Sequence, residues 1–323
     1  SGPEPSALAG RTSLRIKGAR VRRSRRVFQL FDGHLTVGAF SNIKESSSTF
    51  AFTVPLLVPE HHLAPTPSAA TANAHSSPST QKGTCPKMHI FVSGGSGRNG
   101  RLVIQSALDR GHSVTTLARD PSSLTPHPRL TILKGTPTSQ ADVQAALVTP
   151  GPPAAIITTL NPRRTSENPF SPLSPDSPPD LLTSTARILL AAIADALPPE
   201  SPPSTSSAGK KSPKIVANSS MGVGESWRAM SWPMRLVFRH STMRITLQDH
   251  DRMDALVRNS GLPFVLARPA RLLDGGARDV HILPDDGSGA VWNPTVTRAS
   301  VARWLVDAAE STEWDGKSPV ITN

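Results

Sequence analysis

The chain has 323 residues, with 35 Lys and Arg against 24 Asp and Glu for a formal charge of +11, a single cysteine and no tyrosine. One cysteine excludes intrachain disulfides and thiolate metal clusters, and no apolar run approaches the roughly 18 residues needed to cross a bilayer. Residues 1–87 hold eleven basic and four acidic residues and 88–323 hold twenty-four and twenty, so the front carries +7 of the charge and the remainder +4. A fold with so mild an excess does not call for a nucleic-acid partner, whose footprint would be a basic face.

The first 87 residues are rich in Ser, Pro, Ala and Thr, a composition that reads as a disordered basic tail. Within it Arg11 to Arg26 is Arg-rich and free of acid, the pattern of a transit segment, and Arg20 to Arg26 also fits a localisation or nucleic-acid-binding cluster. A cytoplasmic protein is expected, with a mitochondrial one as the alternative if the tail directs import.

The pattern changes at Met88. His89–Ser93 reads as a short buried strand, and Arg98 to Arg110 repeats apolar residues at helical spacing before Gly111, placed as a helix cap. His112 to Ala118 and Leu130 to Leu133 are the next strands, Ser139 to Leu147 a helix, and Pro153 to Leu160 a fourth strand. Leu182, Ala186, Leu189, Leu190, Ile193 and Leu197 form one helical stripe. Lys214 to Ser219 and Pro263 to Arg268 flank a further helix, Ile245 to Asn259. Strands alternating with helices predict an α/β, Rossmann-type, doubly wound parallel sheet in a single domain over 88–323. Two stretches, 161–180 and 198–213, hold eleven prolines between them and read as mobile surface insertions available to a protein partner.

The first strand runs directly into Gly94-Gly95-Ser96-Gly97-Arg98-Asn99-Gly100 and a helix follows. Gly95, Gly97 and Gly100 satisfy G-x-G-x-x-G, while Gly94, Gly97 and Gly100 give the variant G-x-x-G-x-x-G. In this order of strand, loop and helix such glycines permit a tight turn, close approach to a pyrophosphate and close helix packing, with helix N-terminal amides facing the anion. The second strand ends in Leu117-Ala118-Arg119-Asp120. Arg119 offers a planar fork for the 2′-phosphate of NADP, with Arg98 able to join it, whereas Asp120 would serve the ribose of NAD. NADP(H) is the expected cofactor. Without tyrosine the Tyr-x-x-x-Lys mechanism of short-chain dehydrogenases cannot operate in its usual form.

The glycine loop, Leu117 to Asp120, Ala217-Asn218-Ser219-Ser220, Asp249-His250-Asp251-Arg252-Met253, Ser260-Gly261-Leu262, Arg268-Pro269 and Glu313-Trp314-Asp315-Gly316 together resemble the atypical short-chain dehydrogenase-like family, in particular its NADPH flavin reductase (biliverdin reductase B type) branch; the NmrA-like dinucleotide-binding proteins share the pattern. The likeness spans nearly all of 88–323 apart from the two Pro-rich stretches, and departs at Arg271, where the reductases have histidine. It implies that Ser220, with Ser219 beside it, stands near the nicotinamide, and that Thr158, Thr159, Arg268 and Pro269 line the cofactor. It also implies a polar helix face at the site rim around His250, for which a metal with Asp254 is the competing reading; no metal site is expected. The five tryptophans are expected to pack, and Glu225 to His240 to form a lid or substrate wall. The resulting expectation is an NADPH-dependent oxidoreductase for a flat conjugated acceptor such as a flavin or quinone, the alternative being an NADP(H) sensor without turnover.

Overall fold

The computed structural model describes residues 86–166, 168–197 and 212–323, together with the strand pair β1 (Arg26–Phe31) and β2 (His34–Ala39). β1 and β2 pair antiparallel, which the tail's composition did not announce. The disordered-tail reading otherwise falls outside the described residues, as does most of 198–213.

The larger unit runs from Ser79 to Asn323. Its elements are β3 (His89–Ser93), α1 (Arg98–Asp109), β4 (Ser113–Ala118), β5 (Leu130–Lys134), α2 (Gln140–Val148), β6 (Ala155–Thr158), α3 (Leu181–Ala196), β7 (Lys214–Asn218), α4 (Trp232–His240), α5 (Met243–Arg258), β8 (Phe264–Pro269), β9 (Arg271–Leu273), β10 (His281–Leu283), β11 (Thr295–Thr297), α6 (Arg298–Glu310) and β12 (Val320–Thr322). The main sheet has the order β10-β12-β8-β7-β6-β3-β4-β5. All its pairings are parallel except the edge strand β10. Counted from β3, the first six parallel strands follow 3-2-1-4-5-6, the doubly wound order that reverses direction between β3 and β6.

Side-chain alternation on the central strands divides the core in two. Ile90, Val92, Val216, Val265 and Ala267 face α1 and α6, while Phe91, Ile156, Ile215, Ala217 and Leu266 face α2, α3 and α5. Both faces of each strand are therefore apolar, as a parallel sheet covered on both sides requires. Each large side chain fully buried here contributes about 1.5–3 kcal/mol. On the first face Arg110 donates to Asp307 and Glu310, both at 2.7 Å, and His112 Nε2 meets Glu310 at 2.7 Å, joining the end of α1 to α6. The α6, β10 and β12 elements were not read from the sequence; β12 and β10 extend the sheet beyond β8, and α6 covers one face of it beside α1.

On the second face one carboxylate organises the helices. Asp249 of α5 is fully buried and accepts from the backbone amides of Leu182 (2.8 Å) and Thr183 (3.1 Å) and from the Thr183 hydroxyl (2.5 Å). The N-cap residue of α3, Asp180, makes no side-chain cap of its own, so α5 caps α3 across the interface. The segment 161–180, expected as a mobile insertion, is tied to the same corner, because the Thr242 hydroxyl lies 2.8 Å and 2.7 Å from the carbonyls of Pro169 and Ser171. Asp249→Ala is expected to cost about 2–3 kcal/mol, since two buried amides lose their acceptor; urea denaturation of wild type and variant at neutral pH measures it.

Candidate functional site

The register of the sheet assembles the site. Ser93 pairs with Thr158, Thr158 with Ala217, and Asn218 with Ala267, so Gly94, Thr159, Asn218 and Ala267 fall in one row at the carboxyl edge of the central strands, with Ser219 and Arg268 one residue beyond it. Ligands of open parallel sheets bind at this edge, beside the point where strand order reverses.

The glycine loop shows why its residues cannot carry side chains. Gly94 has φ of +85°, and a Cβ there would lie 3.0 Å from Thr159 Oγ1. At Gly95 a Cβ would reach within 2.2 Å of Thr116 Oγ1, and at Gly100 within 2.1 Å of the Gly94 carbonyl oxygen. Gly97 differs, because a Cβ would meet only Gly94 O, at 3.2 Å, and the position is otherwise open. α1 begins after Gly97 with no side-chain cap and no acidic residue in its first turn, so no carboxylate of its own occupies the positive end of this 12-residue helix. Ser96 and Arg98 are exposed and Asn99 half-buried around that opening. An open glycine before an uncapped helix start is what a diphosphate needs, and the residues present fit one.

Thr159 holds the loop rather than projecting from it: its hydroxyl lies 3.1 Å from Ser93 O and 3.2 Å from Gly94 O, and the residue is buried. Thr158 is half-buried at the tip of β6. With Ser93, Asn218, Leu182, Ala186 and Met253 it lines a small apolar cavity into which the sheet edge opens. The Oδ1 atom of Asn218 is buried without a partner. Arg119 is exposed just past β4. The neighbouring Asp120 is committed to a local turn, its Oδ1 accepting from Ser122 N at 3.0 Å and Ser122 Oγ at 2.7 Å.

The serine pair is more enclosed than expected. Ser219 is buried and donates to Asp254 Oδ1 at 3.0 Å, while Ser220, half-buried, donates to Met221 O at 3.1 Å. Asp254 also faces Arg268, whose Nη2 lies 3.3 Å from Oδ2. Arg268, which the resemblance puts beside the cofactor, is only 2% exposed; its Nη1 donates to Glu225 at 2.8 Å and to the Asp285 carbonyl at 2.9 Å. Its role is to tie the loop after β7 and the 284–289 turn to α5, and Pro269 beside it is buried in β8.

The rim reading of α5 is likewise corrected: His250 is 3% exposed, in the interior. Among the described residues no group of three His, Cys, Asp or Glu is disposed to hold a metal. Burial pushes the His250 imidazole down to about 4, with Nδ1 left unpartnered. Burial pushes the Asp254 carboxyl up to about 6, opposed by Arg268 and Ser219. Trp304 and Trp314 pack with ring centroids 5.8 Å apart as expected, whereas Trp232 and Trp292 are exposed, against the packing expectation.

This arrangement defines a dinucleotide-binding protein of Rossmann-type fold. Residues 94–312 match the model of the NAD(P)H-binding family, and the chain belongs to that family. The fold is similar to that of ChuY, an anaerobillin reductase from Escherichia coli O157:H7, at 18% identity over 72% of this chain and 96% of that one with a TM-score of 0.54. It is also similar to a short-chain dehydrogenase/reductase from Veillonella parvula solved in complex with NADP, at 14% identity over 73% and 94% with a TM-score of 0.53. A 3-beta-hydroxysteroid dehydrogenase of Mycolicibacterium neoaurum is 41% identical over 58 residues, 18% of this chain and only 16% of that protein's length.

The two buried groups on α5 give stability opposite pH slopes. His250 binds its proton less readily folded than unfolded, so stability is complete above pH 6.5 and falls as pH drops toward 4. Asp254, with a raised folded value, stabilises less as pH rises through 6. His250→Asn is expected to remove a decline on the order of 2–3 kcal/mol between pH 6.5 and 4; chemical denaturation of both proteins at pH 7 and pH 4.5 reads the difference.

Proposed function

We propose that the protein is an NADPH-dependent oxidoreductase, carried by residues 88–323, that transfers hydride to a flat conjugated acceptor such as a flavin or quinone. The observation that carries this reading is the open, uncapped start of α1 at Gly97 beside an exposed Arg119 whose acidic neighbour is already used. The first feature suits the diphosphate. Arg119 suits a 2′-phosphate, which a bidentate guanidinium recognises. Asp120 commits Oδ1 to the Ser122 turn, which makes it less suited than Arg119 to face the cofactor. The NADP found with the Veillonella parvula relative supports the same choice.

The loop residues Gly94 to Gly100 would hold the diphosphate, Arg119 the adenosine phosphate, and Thr158 and Asn218 would face the nicotinamide end, where NADPH supplies the hydride. The chain contains no tyrosine, and the hydroxyls of Ser219 and Ser220 both donate within the protein. An acceptor that draws its proton from water is therefore favoured over one that needs a donor residue. Hydride transfer of this kind asks the protein for orientation and shielding rather than covalent chemistry.

The engaged serine hydroxyls also favour a second reading, an NADP(H) sensor without turnover. NADPH consumption with flavin and quinone panels separates them: turnover above background supports the reductase, and binding with no turnover supports the sensor. Arg119→Ala is expected to weaken NADPH binding about 10- to 100-fold and to leave NADH binding nearly unchanged, measured by fluorescence titration of the bound dinucleotide. Equal weakening of both would remove the 2′-phosphate assignment.

A further inference from the structure

Two adjacent arginines after β6 have opposite surroundings. Arg163 is exposed and ion-paired with Asp176, which also accepts from Ser174. Arg164 is half-buried, and its Nε is fully enclosed with no hydrogen-bond partner. Its one side-chain bond is Nη2 to Thr246 Oγ1, at 3.1 Å, on the first turn of α5. Among the described residues no carboxylate pairs with it; Asp176 belongs to Arg163, and Asp249, one turn along α5, is spent on the α3 amides. Burial without a compensating anion depresses the guanidinium's affinity for its proton. A partly desolvated, unneutralised cation is costly unless something outside the chain completes it.

The loop that holds Arg164 is built rather than slack. Arg164 forms a bridge with Leu173, Ser174 N donates to the Arg163 carbonyl at 2.8 Å, and Arg163 N donates to Ser177 Oγ at 2.9 Å. Thr242 between α4 and α5 fastens the loop on both sides of Phe170, which is 58% exposed. On α4, Trp232 and Leu236 are 64% and 53% exposed, one helical turn apart. Exposed Phe170 thus belongs to the same loop as Arg164, and both are fastened to the start of α5. The phosphate-fitting residues belong to the tips of β3 and β4, and Arg119 there acts electrostatically on Asp176, the ion-pair partner of Arg163.

We propose that Arg164 anchors an oxyanion on the acceptor, a carboxylate or phosphate carried at the edge of a flat conjugated ring, so that anionic acceptors are preferred over neutral ones. This rests on the reductase reading and narrows it. Arg164 makes and breaks no bond: the acceptor gains hydride from NADPH and a proton from water, NADP+ is left, and the guanidinium fixes the ring by two charge-assisted hydrogen bonds.

Riboflavin and flavin mononucleotide share one ring and differ in a phosphate, which makes them the probes. With the full chain, kcat/KM from NADPH absorbance and Kd from quenching of flavin fluorescence are both expected to favour the phosphorylated flavin about 10- to 100-fold. Arg164→Met should erase that preference by weakening flavin mononucleotide alone, with riboflavin and NADPH binding within about twofold and the melting temperature checked alongside. Arg164→Lys, which keeps the charge but not the fork, should fall between, and serves if the methionine variant does not fold. Equal Kd values for the two flavins, binding of neither, or a loss of NADPH affinity in the variant overturns the assignment. The expected Kd pattern without turnover leaves the Arg164 site standing and removes the reductase reading.

Discussion

The structure depends on how closely the loop after β3 lies against its neighbours. Gly95 sits where a single methyl group would collide with Thr116 of β4, and Gly100 where it would collide with the Gly94 carbonyl. Thr159, from the tip of β6, holds the same loop with its hydroxyl. These contacts bring the first turn of α1 down onto the sheet edge at the one place where the strand order reverses. With no side chain to cap that helix, its amide dipoles are directed at whatever anion occupies the crevice.

Around that crevice the protein uses its interior charges for assembly. Asp249 caps α3 from α5, Arg268 joins Glu225, Asp254 and the Asp285 carbonyl, and Arg110 with His112 fastens α1 to α6. Among the described residues Arg119, at the β4 tip, and Arg164, beside the start of α5, stand outside these ion pairs. That division explains why a motif can be shared with reductases and still serve structure. The Asp-His of α5 is part of the family resemblance, yet here both side chains are buried, one as a cap and one as a neutral imidazole.

Much of this was legible in the sequence. Period-two and period-3.6 patterns located β3 to β8 and the helices α1, α2, α3 and α5 within a few residues, because each buries an apolar face against the same sheet. Gly94 to Gly100 were readable because a strand, a glycine turn and a helix in that order have few other uses. The elements beyond β8 were missed. β9 to β12 have only three residues each, too short for a period to show. α6 carried a usable signal in its Thr297 cap, which accepts from Ser300 N, and in the spacing of Val301, Leu305 and Ala308.

The sequence by itself determined the order of β3 to β8 with α1, α2, α3 and α5, the flexible backbone of the phosphate loop and the absence of a tyrosine donor, since these are local properties of residue type and spacing. Only the tertiary structure decided which polar groups are free. Arg268 and Arg164 are both arginines at strand or loop ends, and nothing local distinguishes them. One is buried against two carboxylates drawn from distant segments, the other is half-buried with none among the described residues, and that difference in neutralisation arises only when residues far apart in the chain are packed together.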